Sequence, residues 1–123
     1  MANLDVSLKS AMQIEGAIGA AVVDYTSGMT LGVAGGTAEL DLTIAAAGNT
    51  DVVRAKMRTI EMLNLDEEIE DILITLGSQY HIIRPVTSRS GKGLFLYLML
   101  SKSRANLALA RHQLRSVEEH LEL

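Results

Sequence analysis

Histidines, a Ser-Gly-Lys-Gly tetrapeptide and a run of acids are the groups in this chain best suited to chemistry. The histidines are His81, His112 and His120. No pair of them has the spacing of a zinc site, and no HExxH or facial-triad pattern occurs. His112 and His120 are expected on a helix surface, and His81 in a strand as a half-buried or rim residue. A catalytic nucleophile needs a base and an acid beside it, and nothing in the spacing assembles that set. Ser90-Gly91-Lys92-Gly93 is superficially like a phosphate-binding loop. It lacks the earlier glycine, and Gly93 stands where Ser or Thr should ligate magnesium. A strand follows it, so no helix N-terminus would face a phosphate, and a hairpin loop accounts for it. Gly32, Gly35 and Gly36 miss the dinucleotide spacing. The acids Asp66, Glu67, Glu68, Glu70 and Asp71 do not match a calcium loop and suit a solvated strand entry. The expectation is a chain that is not an enzyme, with no cofactor and no metal.

Composition narrows the classes further. A length of 123 residues suits a single domain, 1–123, able to bury a core without staples. Hydrophobic residues make up 48% and charged residues 21%, a globular balance. With no cysteine, disulfides and thiolate metal sites are excluded, and a reducing cytoplasmic setting is expected. No basic start leads into a long apolar stretch, and the apolar runs are strand-length, so neither a signal peptide nor membrane insertion is expected. The net charge is −4, Trp is absent, and the Lys and Arg residues are scattered among acids. Nucleic acid is not an expected partner.

The elements that must position any site follow from periodicity. Asn3 to Glu15 predicts a helix with Asn3 as N-cap and Gly16 as its stop. Ala17–Tyr25 and Met29–Ala34 predict a hairpin turning at Thr26-Ser27-Gly28, the first strand apolar on both faces and so central. Ala38–Leu63 predicts a long helix with Gly48 in its middle. Ile72–Leu76, entered through the acids, and Gln79–Val86 form a second hairpin, with Pro85 at a strand end where a missing donor is tolerable. Leu94–Leu100 is again apolar on both faces. Ser101 or Ser103 is the expected cap of a last helix whose stripe is Leu107, Ala110, Leu114, Val117 and Leu121, with Arg104, Arg111, Arg115, Glu118 and Glu119 exposed. The order αββαβββα, with short antiparallel turns, places Ala17–Tyr25 beside Leu94–Leu100 in the middle. Met29–Ala34 lies at one edge and Ile69–Leu76 at the other.

Surplus apolar surface points to a partner. On a wheel of about 100° per residue, Thr50, Asp51, Arg54, Arg58 and Glu61 crowd one polar arc of the middle helix, and apolar residues fill most of the remainder. Asn49 and Lys56 split the apolar arc into two parts. One holds Ile44, Ala45, Val52, Ala55 and Met62, and the other Ala46, Val53, Met57 and Ile60. A helix with two apolar faces is buried twice, by flanking loops or by a second subunit. The edge segment Ile72, Leu73, Ile74, Thr75 and Leu76 has no Pro or Lys to guard it, so it invites pairing with another chain. The preceding acids are the alternative guard. The expected dimer interface is therefore Ala46, Val53, Met57, Ile60 and Ile72 to Leu76.

The order of elements resembles the roadblock / dynein light-chain domain family. "GAIGAAVVDYTSGMTLGVAGG" (Gly16–Gly36) resembles that family's first hairpin, with its acidic residue and glycine at the turn. "SRANLALARHQLR" (Ser103–Arg115) resembles its final helix, opening on Asn106-Leu107 and followed by Ala110-Arg111. The resemblance covers about Leu4 to Leu121 and points to the bacterial, GTPase-associated branch. It implies an α+β fold in three layers (α-β-α): a five-stranded antiparallel sheet, the long helix on one face and the two terminal helices on the other. It implies a homodimer through a merged sheet and adjacent middle helices. Bacterial members bind Ras-like small GTPases, in some cases stimulating hydrolysis, as in the polarity system of gliding motility. Carried over by helix geometry, the GTPase-partner surface is Thr50, Asp51, Arg54, Arg58 and Glu61. Arg54 and Arg58, four apart, share a face and could present an arginine to a GTPase, although ordinary solvated arginines are the expected reading of them. The alternative is a small-molecule-sensing domain of the PAS, GAF or profilin-like kind. That needs a pocket between sheet and helix, usually lined by aromatics, and aromatics are only 3% here.

Overall fold

A computed structural model of the chain describes residues 3–37 and 41–123. Its elements are α1 (Leu4–Met12), β1 (Ala17–Asp24), β2 (Met29–Gly35), α2 (Leu42–Met62), β3 (Ile72–Thr75), β4 (Gln79–Pro85), β5 (Leu94–Ser101) and α3 (Leu107–His120). All neighbours in the sheet are antiparallel, in the order β2-β1-β5-β4-β3. The two strands apolar on both faces are paired at the centre, Ala21 opposite Tyr97 and Val22 opposite Leu96. Their side chains alternate between two cores. Ala20, Val22, Leu96 and Leu98 pack with α1 and α3, while Ala21, Val23, Phe95 and Tyr97 pack with α2. The architecture is thus α+β in three layers, one long helix against one face and two terminal helices against the other.

Local chemistry sets the boundaries. Asn3 caps α1 by accepting from Val6 N at 2.9 Å. Gly16 then adopts φ +88, and a Cβ there would lie 3.0 Å from the backbone of Ala105, so glycine lets α1 turn into β1 beneath the β5–α3 connection. At the first hairpin the Asp24 carboxylate accepts from the Thr26 hydroxyl (2.6 Å) and amide (2.8 Å), bonds that hold its pKa below the ordinary value. Gly28 supplies the positive φ, +80, that closes this turn. Asp41 caps α2. The expected helix start at Ala38 lies outside the described residues.

Several expectations need correction. Asn106, not Ser101 or Ser103, caps α3, its side chain accepting from Leu109 N at 3.1 Å. The serine hydroxyls face one another instead, and Arg104 lies in the turn ahead of the helix. The edge strand β3 is short, Ile72–Thr75, and Leu76 belongs to the turn, its amide donating to Gln79 O. Glu118 is not on an exposed side of α3. It is 1% exposed and accepts from Arg84 Nε at 3.1 Å and the Thr87 hydroxyl at 3.1 Å. This buried ion pair ties α3 to the end of β4, a more specific joint than the flanking Leu114 and Leu121 provide by burial alone.

Candidate functional site

The long helix carries the candidate site, and its orientation decides which residues are available. Leu42, Ala46 and Val53 are buried against the sheet, Ala46 and Val53 completely. Thr50 joins them at 2% exposure, because its hydroxyl donates to Ala46 O one turn back and so needs no water. Two partners orient the helix. On one flank Arg54 Nε donates to Tyr25 O at 2.6 Å and its Nη2 donates to Thr26 O, clamping the β1–β2 turn. On the other flank the Asn49 side chain lies near the Tyr97 hydroxyl on β5. At about 100° per residue, Val52 lies toward the Asn49 side of α2, while Gly48 falls beside Ala55 on the side turned from the sheet. Ile44, Asp51, Ala55, Arg58 and Met62 point away from the sheet.

The helix therefore does have two apolar faces, but the sheet takes the one expected to meet a second copy. Ala46 and Val53 are withdrawn from any interface between copies because their surface is spent inside the protomer. Met57 and Ile60 are half-buried and turned toward the end of the sheet. The face left over is Ile44 (72% exposed), Val52 (37%) and Met62 (75%), with Ala55 exposed between them. Gly48 belongs to the same open side, and a Cβ built on it would meet nothing within 4 Å. α2 packs chiefly on β1 and β2, and the sheet edge farther from it, across β5 and β4, is β3. There Ile72, Leu73 and Ile74 are half-buried, Thr75 and Leu76 are exposed, and β3 pairs on one side only, with β4.

The polar set divides in the same way. Asp51, Arg58 and Glu61 are exposed. Thr50 is buried, so it belongs to no docking surface. The Arg54 guanidinium is engaged by two main-chain carbonyls and serves the fold. Met57, Ile60 and Glu61 line one wall of an open groove of about 570 Å³ at the C-terminal end of α2. Leu65, Glu67, Glu68 and Ile69 continue that wall, and Val86, Arg89 and Lys92 of the β4–β5 loop stand opposite.

Under α2 a short polar relay crosses the sheet that sequence reasoning missed. His81 Nε2 contacts Gln79 Oε1 at 2.8 Å, and Nδ1 contacts the Tyr97 hydroxyl at 3.0 Å. An imidazole protonated at Nε2 donates to Gln79 and accepts from Tyr97, so the neutral ring satisfies both contacts. Burial lowers the His81 pKa, in agreement with that neutral state. Burial also raises the Tyr97 pKa, opposed in part by the nearby Asn49 side chain. The ring meets Tyr97 edge-on, centroids 5.6 Å apart. His112 and His120 are exposed on α3. Among the described residues no group of three or more His, Cys, Asp or Glu could hold a metal ion, and no helix is long and apolar enough to cross a membrane.

The strand alternation did hold a signal for the buried Arg84–Glu118 pair. Arg84 shares its sheet face with Ile82, which is core, so a cation had to be carried inward there. Glu118 falls four residues after Leu114 and three before Leu121, on the buried stripe and not beside it.

No protein-family model matches the chain, and no curated protein matches it by sequence. Solved structures do match in three dimensions. The roadblock/LC7 domain from Streptomyces avermitilis superposes with a TM-score of 0.78 at 13% identity, over 96% of this chain and 93% of that one. Myxococcus xanthus MglB gives 0.74 at 19% identity, over 92% and 77%. MglC from the same organism gives 0.59 at 22% identity, over 94% and 92%. The element order, the strand order and these superpositions agree: the chain has the roadblock/LC7 fold.

Proposed function

We propose that this chain is a non-catalytic homodimeric module that binds a Ras-like small GTPase and regulates or scaffolds it, in a cytoplasmic setting. One observation carries the dimer: α2 keeps an exposed apolar face, with Gly48 in its middle, and among the described residues the edge of β3 is unpaired. A second copy related by a two-fold axis would cover both at once, helix against helix and β3 against β3. The interface is then Ile44, Ala45, Gly48, Val52 and the Ile72–Leu76 edge. Among similar structures, an MglB has a tetrameric arrangement, and self-association in proteins of this shape supports the idea.

The GTPase rests on the family resemblance and on the similarity to MglB, including the gliding protein MglB from Thermus thermophilus. In the dimer the outward ridge of paired α2 helices presents Asp51, Arg58 and Met62 from each copy, a mixed polar and apolar surface suited to a protein partner. Arg54 is already occupied, so any stimulation of hydrolysis comes from ordering the GTPase's own switch segments and not from an inserted Arg54. The sensor alternative is less well supported. The space between α2 and the sheet is closed by Ala21, Ala46 and Val53, all at 0% exposure.

Sedimentation velocity of the chain alone, then with a Ras-like GTPase loaded with GDP or with a GTP analogue, tests both halves. A dimer that shifts with one nucleotide state is the expected result. A monomer at high concentration ends the dimer, and equal non-binding in both states ends the GTPase partner.

A further inference from the structure

The groove at the C-terminal end of α2 lies on the flank opposite Gly48 and Val52, so the proposed dimer would leave it open. The apolar part of its lining is Met57, Ile60, Leu65, Ile69 and Val86. Leu65 remains 47% exposed, an apolar cost the protomer does not relieve. Its two walls carry opposite charge. Glu61, Glu67 and Glu68 stand on one side, and Arg89 and Lys92 on the other. Among the described residues no ion pair joins these walls, since the three salt bridges found all lie elsewhere. The anionic wall is reinforced by the end of α2, whose last turn has no basic residue to offset its carbonyls. At about 570 Å³ the groove has room for two or three side chains.

We propose that this groove is a docking site for a short segment of a partner protein. The segment seats an apolar anchor on Met57, Ile60 and Leu65. It directs a Lys or Arg to Glu61, Glu67 and Glu68, and an Asp or Glu to Arg89 and Lys92. Charge complementarity selects this occupant. A purely apolar ligand would leave both walls unpaired, and a purely cationic or anionic one would oppose one of them. The site is separate from the outward ridge assigned to the GTPase, so it allows two protein partners at the same time.

The test uses the full chain, labelled with ¹⁵N, titrated with an acetylated and amidated peptide in which two leucines stand between a lysine pair and a glutamate pair. The control peptide carries glutamines in place of the charged residues. The expected result is amide shifts at Met57, Ile60, Leu65 and Val86, with affinity roughly tenfold higher for the charged peptide. The double substitution Glu67→Gln, Glu68→Gln removes that advantage and leaves binding of the control peptide unchanged. Both glutamates are exposed, so the fold is retained, and the unchanged spectrum elsewhere shows it. Equal affinity for the two peptides, shifts centred on Ile44 and Val52, or no shifts at all would each overturn the proposal. Saturable binding of a small apolar compound in the groove with no peptide binding would overturn it in favour of a small-molecule site.

Discussion

Replacing Gly48 separates the protomer from the dimer because the two respond with opposite sign. Gly48 lies inside α2, and a Cβ there would meet nothing within 4 Å in its own chain. A helix-interior glycine costs about 0.8–1.0 kcal/mol relative to alanine, and leucine ranks close behind alanine. Gly48→Ala and Gly48→Leu should therefore each stabilise the protomer by roughly 1 kcal/mol, about 4 °C in Tm for a domain of this size. In a dimer built on that flank, a leucine placed where two helices approach over glycine costs about 1–3 kcal/mol through overpacking. A two-fold interface makes the contact twice, so Gly48→Leu weakens the dimer by about 2–6 kcal/mol, at least roughly 30-fold in Kd. Sedimentation velocity over a concentration series reads the dimer. Urea unfolding at concentrations where only monomer is present reads the protomer. A Gly48→Leu chain that dimerises as tightly as the parent refutes pairing through this flank. A Gly48→Leu protomer less stable than the parent refutes the open position of Gly48 itself.

Adjacent valines give a sharper qualitative contrast: Val53→Asp buries an unpaired charge and should cost about 4–5 kcal/mol or more, while Val52→Asp should leave the protomer folded and abolish the dimer, as circular dichroism and sedimentation would show. Glu118→Ala strands Arg84 and should cost about 3–5 kcal/mol in urea unfolding, whereas replacing both residues with apolar ones of similar volume should recover most of that loss. Arg54→Ala removes two bonds to turn carbonyls and should lower stability by about 1 kcal/mol; Arg58→Ala should leave stability unchanged and weaken GTPase binding in a pull-down. His81 is held neutral in the folded chain, with a pKa lowered by burial from its ordinary 6.5. The unfolded chain therefore binds the proton more readily, so stability should fall as pH drops from about 6.5 toward the folded pKa, and His81→Gln should flatten that slope in pH-dependent unfolding.

The layer architecture was legible because it depends on signals that are local and repeated. Two runs apolar on both faces, Ala17–Tyr25 and Leu94–Leu100, can only be central strands covered twice, and the connecting turns are too short for anything but antiparallel neighbours. The Asp24-Thr26-Gly28 turn declared itself by residue type. The cap of α3 did not. Ser101, Ser103 and Asn106 are all chemically able to cap, and the choice among them depends on where β5 stops, which Gly16 settles from across the fold through its carbonyl bond to the Ser101 amide. Glu118 was misplaced for a similar reason. Helical spacing put it on the stripe, but its charge argued for solvent. Only its partner Arg84, 34 residues away in sequence, makes the burial tolerable.

The reversed faces of α2 show what periodicity alone leaves open. A wheel reveals that a helix has two apolar arcs, yet both arcs here are built from the same small and β-branched residues, so neither is marked as the inner one. The sheet decides by shape and by hydrogen bonding. Ala21 and Val23 on β1 present a shallow surface, and Ala46 and Val53 are small enough to lie flat on it. Thr50, polar by type, can turn inward because its hydroxyl is satisfied within the helix. Arg54 then reaches the β1–β2 turn only when the helix is rolled in this direction. The roll leaves Ile44, Gly48 and Val52 uncovered on α2, and the unpaired β3 edge lies across β5 and β4 from the strands on which α2 packs. In the proposed dimer a single two-fold operation would cover both, while a flanking loop would have to cover helix and strand edge separately.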